Sequence, residues 1–128
     1  MDEQPGSQPL PDKRVLVVDD DHDICECLAE FFQAKGFTVL SAFSGEQAMD
    51  HLLVAAPQIV VLDIMLPGIS GLELLLRVKA RYPSAKVIMM TGLPHPELYV
   101  KAKEGGACGY VMKPFDFSEG TWAPAFSP

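Results

Sequence analysis

Polar residues with useful chemistry stand directly after four hydrophobic stretches of the chain. The first stretch ends in adjacent carboxylates, Asp19 and Asp20, and the third ends in the carboxylate of Asp63. The fourth and fifth end in a hydroxyl, Thr91, and an ammonium, Lys113. Carboxylates brought together repel each other, and Mg²⁺ relieves this because it prefers hard oxygen ligands, often beside a phosphate. Together these residue types could hold a phosphoryl group and let a carboxylate accept it.

The hydrophobic stretches have the composition of buried β-strands, with runs of aliphatic and β-branched residues. They cover residues 14–18, 37–42, 59–62, 86–90 and 109–112. Helical patterns lie between them: the first is capped by Asp20 or Asp21 and ends at Gly36. The next two begin at Ser44 and Ser70, each in a capping box, and a weaker fourth pattern covers 94–104. This alternation predicts an α/β fold, a parallel sheet with helices on both faces.

The order of the strands follows from where the polar residues must meet. Ligands of open parallel sheets bind at the carboxyl ends of the strands, where the strand order reverses. The second strand ends only in Ser-Ala-Phe at 41–43, whereas the other four end in the polar residues named above. An order of 2-1-3-4-5 puts the four polar ends side by side, and we predict that order.

The two ends of the chain depart from this pattern. Residues 1–12 contain three prolines and few apolar groups, which predicts a flexible lead-in to a domain over 13–117. Residues 118–128 form an atypical tail in which three helix breakers are expected to leave the fifth helix short or absent. The breakers are Gly120, Pro124 and Pro128. Aromatic residues of this region, or a second chain, are then expected to cover the exposed sheet face: Phe117, Trp122 and Phe126.

Composition limits the possible partners and location. The formal net charge of −7 argues against direct binding of nucleic acid or an anionic membrane. No apolar run approaches the roughly 18–20 residues of a membrane span, and no signal pattern opens the chain, so we predict a cytoplasmic protein. Core packing is expected for Cys27 and Cys108, and no redox role is assigned to them or to Cys25.

The motifs at the strand ends, taken together at this spacing, are highly specific. They are Val17-Val18-Asp19-Asp20, Leu62-Asp63 with Pro67 and Gly71, Met90-Thr91-Gly92, Gly106-Ala107 and Tyr110-Val111-Met112-Lys113-Pro114-Phe115. Over roughly 13–117 the chain resembles the CheY-like receiver domains of two-component response regulators. The resemblance implies a flavodoxin-like, doubly wound sheet in the order 2-1-3-4-5.

The resemblance also implies a reaction. Asp63 would be the phosphoacceptor, with a phosphohistidine of a sensor histidine kinase or phosphotransfer protein as donor. Asp20, Asp63 and the main-chain carbonyl of Met65 would bind Mg²⁺, and Asp19 would act through a metal-bound water. We expect slow self-dephosphorylation, because Met65 and Leu93 are apolar and could hinder an attacking water.

A conformational switch would follow phosphorylation in such a domain. Lys113 would contact the phosphoryl oxygens, and its bond to Pro114 would be cis. Thr91 would swing toward the phosphoryl group while Tyr110 turns inward; the alternative for Tyr110 is an ordinary half-buried strand aromatic. The change would regulate a downstream effector domain or protein, and a homodimer is compatible with the sequence. No effector domain follows Phe115, so the chain is either a stand-alone regulator or part of a longer one.

Two other functions use some of the same residues. A Mg²⁺-dependent phosphatase of the haloacid-dehalogenase type would use Asp19 as nucleophile and Asp21 as acid. The chain leaves no room for a substrate cap, and His22 stands where a small residue is expected. A receiver fold used only for protein binding, without phosphorylation, would not need the full set of polar strand ends.

Overall fold

The structure, a computed structural model, describes residues 13–93 and 95–127. The predicted lead-in at 1–12 lies outside these residues. The strands are β1 (Arg14–Val18), β2 (Thr38–Ala42), β3 (Ile59–Asp63), β4 (Lys86–Thr91) and β5 (Gly109–Met112). The helices are α1 (His22–Ala34), α2 (Gly45–Val54), α3 (Gly71–Arg81), α4 (Pro96–Glu104) and α5 (Glu119–Phe126). None of the helices described is long and apolar enough to cross a membrane.

All five strands are parallel and lie in the predicted order, β2-β1-β3-β4-β5. Val18 at the end of β1 is in register with Leu62, and Asp63 at the end of β3 is in register with Met90. Thr91 is in register with Met112, the residue before Lys113. The polar strand ends therefore meet at one edge of the sheet, as the sequence predicted.

Helix ends follow from local side-chain chemistry. Asp21 caps α1 by accepting hydrogen bonds from the backbone N–H groups of Asp23 and Ile24. Ser44 and Ser70 cap α2 and α3 in the same way, which satisfies N–H groups that have no partner inside the helix. Gly36 follows α1 with a φ of +94°, a conformation that glycine adopts without a steric penalty.

Successive residues of the strands point to opposite faces, so the sheet has a hydrophobic core on each side. On one side Leu16, Val60 and Met89 pack with residues of α2, α3 and α4. On the other side Val17 and Ile88 pack with residues of α1 and α5. The fifth helix lies on the same face as the first, which right-handed connections require.

The tail forms more structure than the sequence predicted. Over Glu119–Phe126 it is an eight-residue helix with Pro124 inside it, so the prediction that this helix is short is confirmed and its absence is not. Burial of Trp122 and Ala125 outweighs the poor helix propensity, because packing can override local preference. Gly109 of β5 lets Pro124 approach closely: a Cβ at Gly109 would lie 3.0 Å from the Cβ of Pro124. The predicted domain boundary after residue 117 stays a prediction.

Three apolar side chains are not where the sequence pattern put them. Cys27 and Cys108, expected in the core, are exposed, and Cys25 is buried instead. Cys25 belongs with Leu28 and Phe32 on the inner face of α1, at helical spacing that the sequence already contains. The third is Leu76 of α3: an apolar side chain in a helical pattern is normally buried, yet Leu76 is 58% exposed, since Leu74, Leu75 and Val78 form the buried face.

Candidate functional site

Three carboxylates converge at the C-terminal edge of the sheet. One oxygen from each of Asp19, Asp20 and Asp63 lies within 4.8 Å of the others. Asp19 follows β1 and is fully buried, Asp63 ends β3 and is 6% exposed, and Asp20 is exposed. Because β1 and β3 are neighbours in the sheet, the two buried carboxylates meet at the point where the strand order reverses.

Lys113 joins the two buried carboxylates. Its Nζ lies 2.7 Å from Oδ2 of Asp19 and 2.8 Å from Oδ2 of Asp63. The backbone N–H of Lys113 donates to the carbonyl of Thr91 at 2.7 Å, and the peptide bond to Pro114 is cis, as predicted. The ammonium is therefore fixed at the edge of the sheet by its own backbone and by both acidic side chains.

Burial and charge shift the pKa values of this cluster. Burial raises the pKa of Asp19 above 3.8, and the neighbouring Asp63 charge adds to this, although hydrogen bonds from Lys113 and Asp21 oppose it. Burial alone would lower the pKa of Lys113, but hydrogen bonds to Asp19 and Asp63 outweigh it and raise the pKa above 10.5. The site thus holds two acids that the single ammonium compensates only in part.

Backbone donors set the orientation of both buried carboxylates. Asp63 Oδ1 accepts the N–H of Met65 at 2.8 Å, and Asp19 Oδ1 accepts the N–H of Asp21 at 2.9 Å. Gly71 keeps the loop after β3 close to the strand, since a Cβ there would clash with the carbonyl oxygen of Asp63. Each carboxylate presents its second oxygen to Lys113.

Thr91 and Tyr110 are in place but do not join the cluster of charges. Thr91 is buried, and its Oγ1 accepts the N–H of Leu93 at 3.1 Å and donates to the Leu93 carbonyl at 3.2 Å. The hydroxyl of Tyr110 is buried without a hydrogen-bond partner among the described residues, and burial raises its pKa above 10.0. Its ring meets that of Tyr99 edge-on at 5.2 Å.

Two contacts at the site were not predicted from the sequence. The thiol of Cys25 donates to the carbonyl of Asp19 at 3.2 Å, and burial raises the pKa of that thiol to about 12. It is therefore a structural support rather than a reactive group. The His22 ring at the start of α1 stacks on Phe43 in the loop after β2, with centroids 3.7 Å apart. Sequence spacing carries no signal for this pair, because one residue begins α1 and the other lies in the loop after β2.

The donor set fits a divalent cation. Clustered carboxylates, two of them buried, need positive charge, and hard oxygen ligands are those that Mg²⁺ prefers.

The comparison with known families agrees with this geometry: the profile of the response regulator receiver domain matches residues 15–122. The chain therefore belongs to the response regulator receiver family. As a member it is a phosphorelay receiver of two-component signalling, and its acidic pocket fits Mg²⁺ and a phosphoacceptor. Receiver domains are signalling domains, which work with histidine kinases and in many proteins are fused to output domains.

Individual relatives support the family assignment. Sporulation initiation phosphotransferase F of Bacillus subtilis is 35% identical over 110 residues, which cover 86% of this chain and 89% of that protein. The receiver domain of DrrB, solved in its BeF3-activated state, superposes with a TM-score of 0.77 at 36% identity, covering 83% and 88% of the two chains. A CheY-like receiver from Methanospirillum hungatei has a TM-score of 0.79 at 31% identity, covering 83% and 85%.

Other relatives are much longer than this chain. It is 36% identical over 103 residues to the transcriptional regulator NtrC of Klebsiella pneumoniae, a match to 80% of this chain and 22% of NtrC. It matches 27% of a cyclic di-GMP phosphodiesterase from Thermotoga maritima. This chain therefore spans only about a quarter of the length of these two relatives.

Proposed function

We propose that Asp63 accepts the phosphoryl group. An oxygen of its carboxylate attacks phosphorus, the new bond is an acyl phosphate, and the bond from phosphorus to a histidine nitrogen of the donor breaks. The observation that carries this proposal is the position of Lys113, whose ammonium lies 2.7 and 2.8 Å from Asp19 and Asp63. A fixed cation beside the acceptor stabilises the charge of the phosphoryl oxygens as the group is transferred.

Asp63 suits the acceptor role better than Asp19 does. Asp63 keeps 6% of its surface exposed and ends a central strand, whereas Asp19 has no exposed surface. A phosphatase that used Asp19 as nucleophile would have to uncover a carboxylate that is fully buried, so the geometry favours phosphoryl acceptance at Asp63.

Asp20, Asp63 and the main-chain carbonyl of Met65 would hold Mg²⁺, with Asp19 acting through a water molecule. When bound, Mg²⁺ neutralises phosphoryl oxygens and thereby assists in-line transfer. The chain's own contribution is orientation: the Met65 N–H fixes one Asp63 oxygen at 2.8 Å and Lys113 fixes the other.

Thr91 supplies a differential contact for the switch. In the structure its hydroxyl bonds to Leu93 within the loop after β4. A phosphoryl group on Asp63 adds charge and acceptor oxygens, and the Thr91 hydroxyl can donate to them only by releasing the Leu93 carbonyl. The conformational equilibrium of the loop that leads to α4 then shifts. The side chain of Tyr110 can change position with that loop, because its hydroxyl is buried without a hydrogen-bond partner among the described residues.

The donor we propose is a phosphohistidine on a sensor histidine kinase or a phosphotransfer protein, and the place of action is the cytoplasm. The output is a downstream effector domain or protein. We propose slow self-dephosphorylation as the only hydrolytic activity, because Met65 and Leu93, two residues past Asp63 and Thr91, have half-exposed apolar side chains that could hinder an attacking water. A phosphoprotein half-life of seconds would contradict that rate.

The test is phosphorylation with a small donor. Wild-type protein incubated with Mg²⁺ and acetyl phosphate should gain one phosphoryl group by intact mass, and Asp63→Asn should gain none. Asp50→Asn, on the exposed side of α2, is the matched control and should react like the wild type. No adduct on the wild type would favour a phosphorylation-independent binding module. Turnover of phosphomonoesters that Asp19→Asn abolishes would favour the phosphatase.

A further inference from the structure

Cys25, near the start of α1, contacts the turn that carries the acidic residues after β1. Its thiol donates to the main-chain carbonyl of Asp19 at 3.2 Å, and its backbone N–H donates to the carbonyl of Asp21, also at 3.2 Å. The Cys25 side chain is only 2% exposed. A buried carbonyl without a partner would cost free energy, so even a weak S–H donor stabilises this turn. The thiol therefore attaches the main chain of the turn to α1.

The direction of the Asp20 side chain depends on the peptide groups on either side of it. Asp20 is exposed and contributes one oxygen to the carboxylate cluster. The Cys25 thiol holds the peptide group before Asp20, because it binds the carbonyl of Asp19. Asp19 Oδ1 holds the peptide group after Asp20, because it accepts the N–H of Asp21 at 2.9 Å. One side chain from α1 and one from the cluster thus fix the main chain around Asp20.

The loop that carries Asp63 is held mainly by main-chain hydrogen bonds. The N–H of Ile64 donates to the carbonyl of Met90 at 2.9 Å, and the N–H of Gly71 donates to the carbonyl of Ile64 at 3.2 Å. These bonds do not depend on the type of side chain. The turn after β1 differs, since its main chain is also held by a side chain from a helix. Substitution of that side chain should therefore act on Asp20 and leave Asp63 in place.

We propose that Cys25 is a positioning residue for the divalent cation, and that its thiol keeps the Asp20 carboxylate directed at the cluster. The inference rests on the proposed role of Asp20 and Asp63 as cation ligands. Cys25 supplies no ligand itself and acts through the Asp19 carbonyl. Partners that orient the ligands of a metal typically change its affinity by about 10- to 100-fold when they are removed.

Titration of the isotope-labelled full chain with Mg²⁺, followed by the NMR shifts of its amides, measures the Kd of the cation. Cys25→Ala removes the donor, and we expect it to raise the Kd about tenfold. Cys25→Ser leaves a side chain of nearly the same volume as alanine but keeps a donor, so its Kd should stay within about threefold of the wild-type value. The same spectra show that each variant is folded.

Two control variants separate the hydrogen bond from other effects of substitution in α1. Cys27→Ala removes an exposed thiol from the same helix and should keep the wild-type Kd. Leu28→Val trims a fully buried side chain of α1, so it should lower stability without changing the Kd. Cys25→Ala with the wild-type Kd, Cys25→Ser as weak as Cys25→Ala, or a wild type that binds no Mg²⁺ would each overturn the proposal.

The rate of phosphorylation by acetyl phosphate separates cation binding from the transfer itself. Cys25→Ala should react slowly at limiting Mg²⁺ and come within about twofold of the wild-type rate at saturating Mg²⁺, because the Met65 and Lys113 contacts of Asp63 are unchanged. A rate that stays low at saturating Mg²⁺ would contradict a role in cation binding. The titration needs no phosphoryl donor, so a wild type that binds Mg²⁺ without being phosphorylated would count against the proposed function alone.

Discussion

The polar site around Asp63 and the aromatic cluster between α1 and α5 are built on different principles. In the polar site, hydrogen bonds and ion pairs of 2.7–2.9 Å fix a few charged groups in position. In the aromatic cluster, the centroids of neighbouring rings lie 4.9–6.3 Å apart, and the rings contact one another through van der Waals packing. The rings of that cluster are Phe31, Phe32, Phe115, Phe117, Trp122 and Phe126. The site depends on residue type, whereas the cluster depends on side-chain volume and on the apolar surface that it buries.

Removing the centre of the aromatic cluster should have the largest effect. Trp122 is fully buried, and its Nε1–H donates to the carbonyl of Asp116 at 2.7 Å. Trp122→Ala should lower the free energy of unfolding by about 3–5 kcal/mol, measured by urea denaturation. Leu53→Ala, at a 63% exposed position, should cost less than about 1 kcal/mol. A loss below about 1 kcal/mol in Trp122→Ala would mean that α5 contributes little to the core.

The aromatic cluster is also where the sequence predicted least. Gly120 and Pro124 both have low helix propensity, so a prediction from local propensity alone disfavours a helix in this segment. Helix α5 forms because Ser118 caps it, through a hydrogen bond from Thr121 N–H at 3.3 Å, and because Trp122 is buried. Burial against α1 is a contact between residues far apart in the chain, which a local pattern does not contain.

The ion pairs of the polar site should control the rate of phosphorylation. Lys113→Ala removes the cation that compensates Asp19 and Asp63, and we expect phosphorylation by acetyl phosphate to slow about 100-fold. Intact mass against time measures this rate. Lys101→Ala, on the exposed surface of α4, should keep the wild-type rate. An unchanged rate in Lys113→Ala would show that the ammonium serves only the fold.

Residue type made this site predictable. The sheet order and the convergence of Asp19, Asp20, Asp63 and Lys113 follow from polar residues at the ends of strands, and the structure confirms their meeting. The orientation of the Thr91 hydroxyl was not predictable, because it depends on a choice between hydrogen-bond partners.

Mg²⁺ should stabilise the protein through the polar site alone. At about ten times its Kd, a ligand of the folded state adds about 1.4 kcal/mol to the free energy of unfolding. Asp20→Asn should reduce this gain, and Trp122→Ala should keep it, since the two regions share no side chain. Urea denaturation with and without Mg²⁺ measures the gain. A gain that survives in Asp20→Asn would place the ion elsewhere.

The smallest effect concerns the loop that joins the two regions. Hydrogen bonds from Ser118 and Thr121 lower the pKa of Asp116 below 3.8. A lowered pKa means that this carboxylate stabilises the fold above pH 3.8 and ceases to do so as the pH falls through its folded-state pKa. The stability difference between the wild type and Asp116→Asn should therefore be constant near neutral pH and shrink in acid. A difference that grows as the pH falls would contradict this sign.

The most direct test of the account locates the phosphoryl group itself. Borohydride reduces an acyl phosphate to an alcohol, so phosphorylated protein treated with it acquires homoserine in place of the modified aspartate. Peptide mass spectrometry of wild-type protein phosphorylated with acetyl phosphate should find homoserine at position 63, and only after phosphorylation. Homoserine at position 19 or 20, or unmodified Asp63 in a protein that carries a phosphoryl group, would contradict the account.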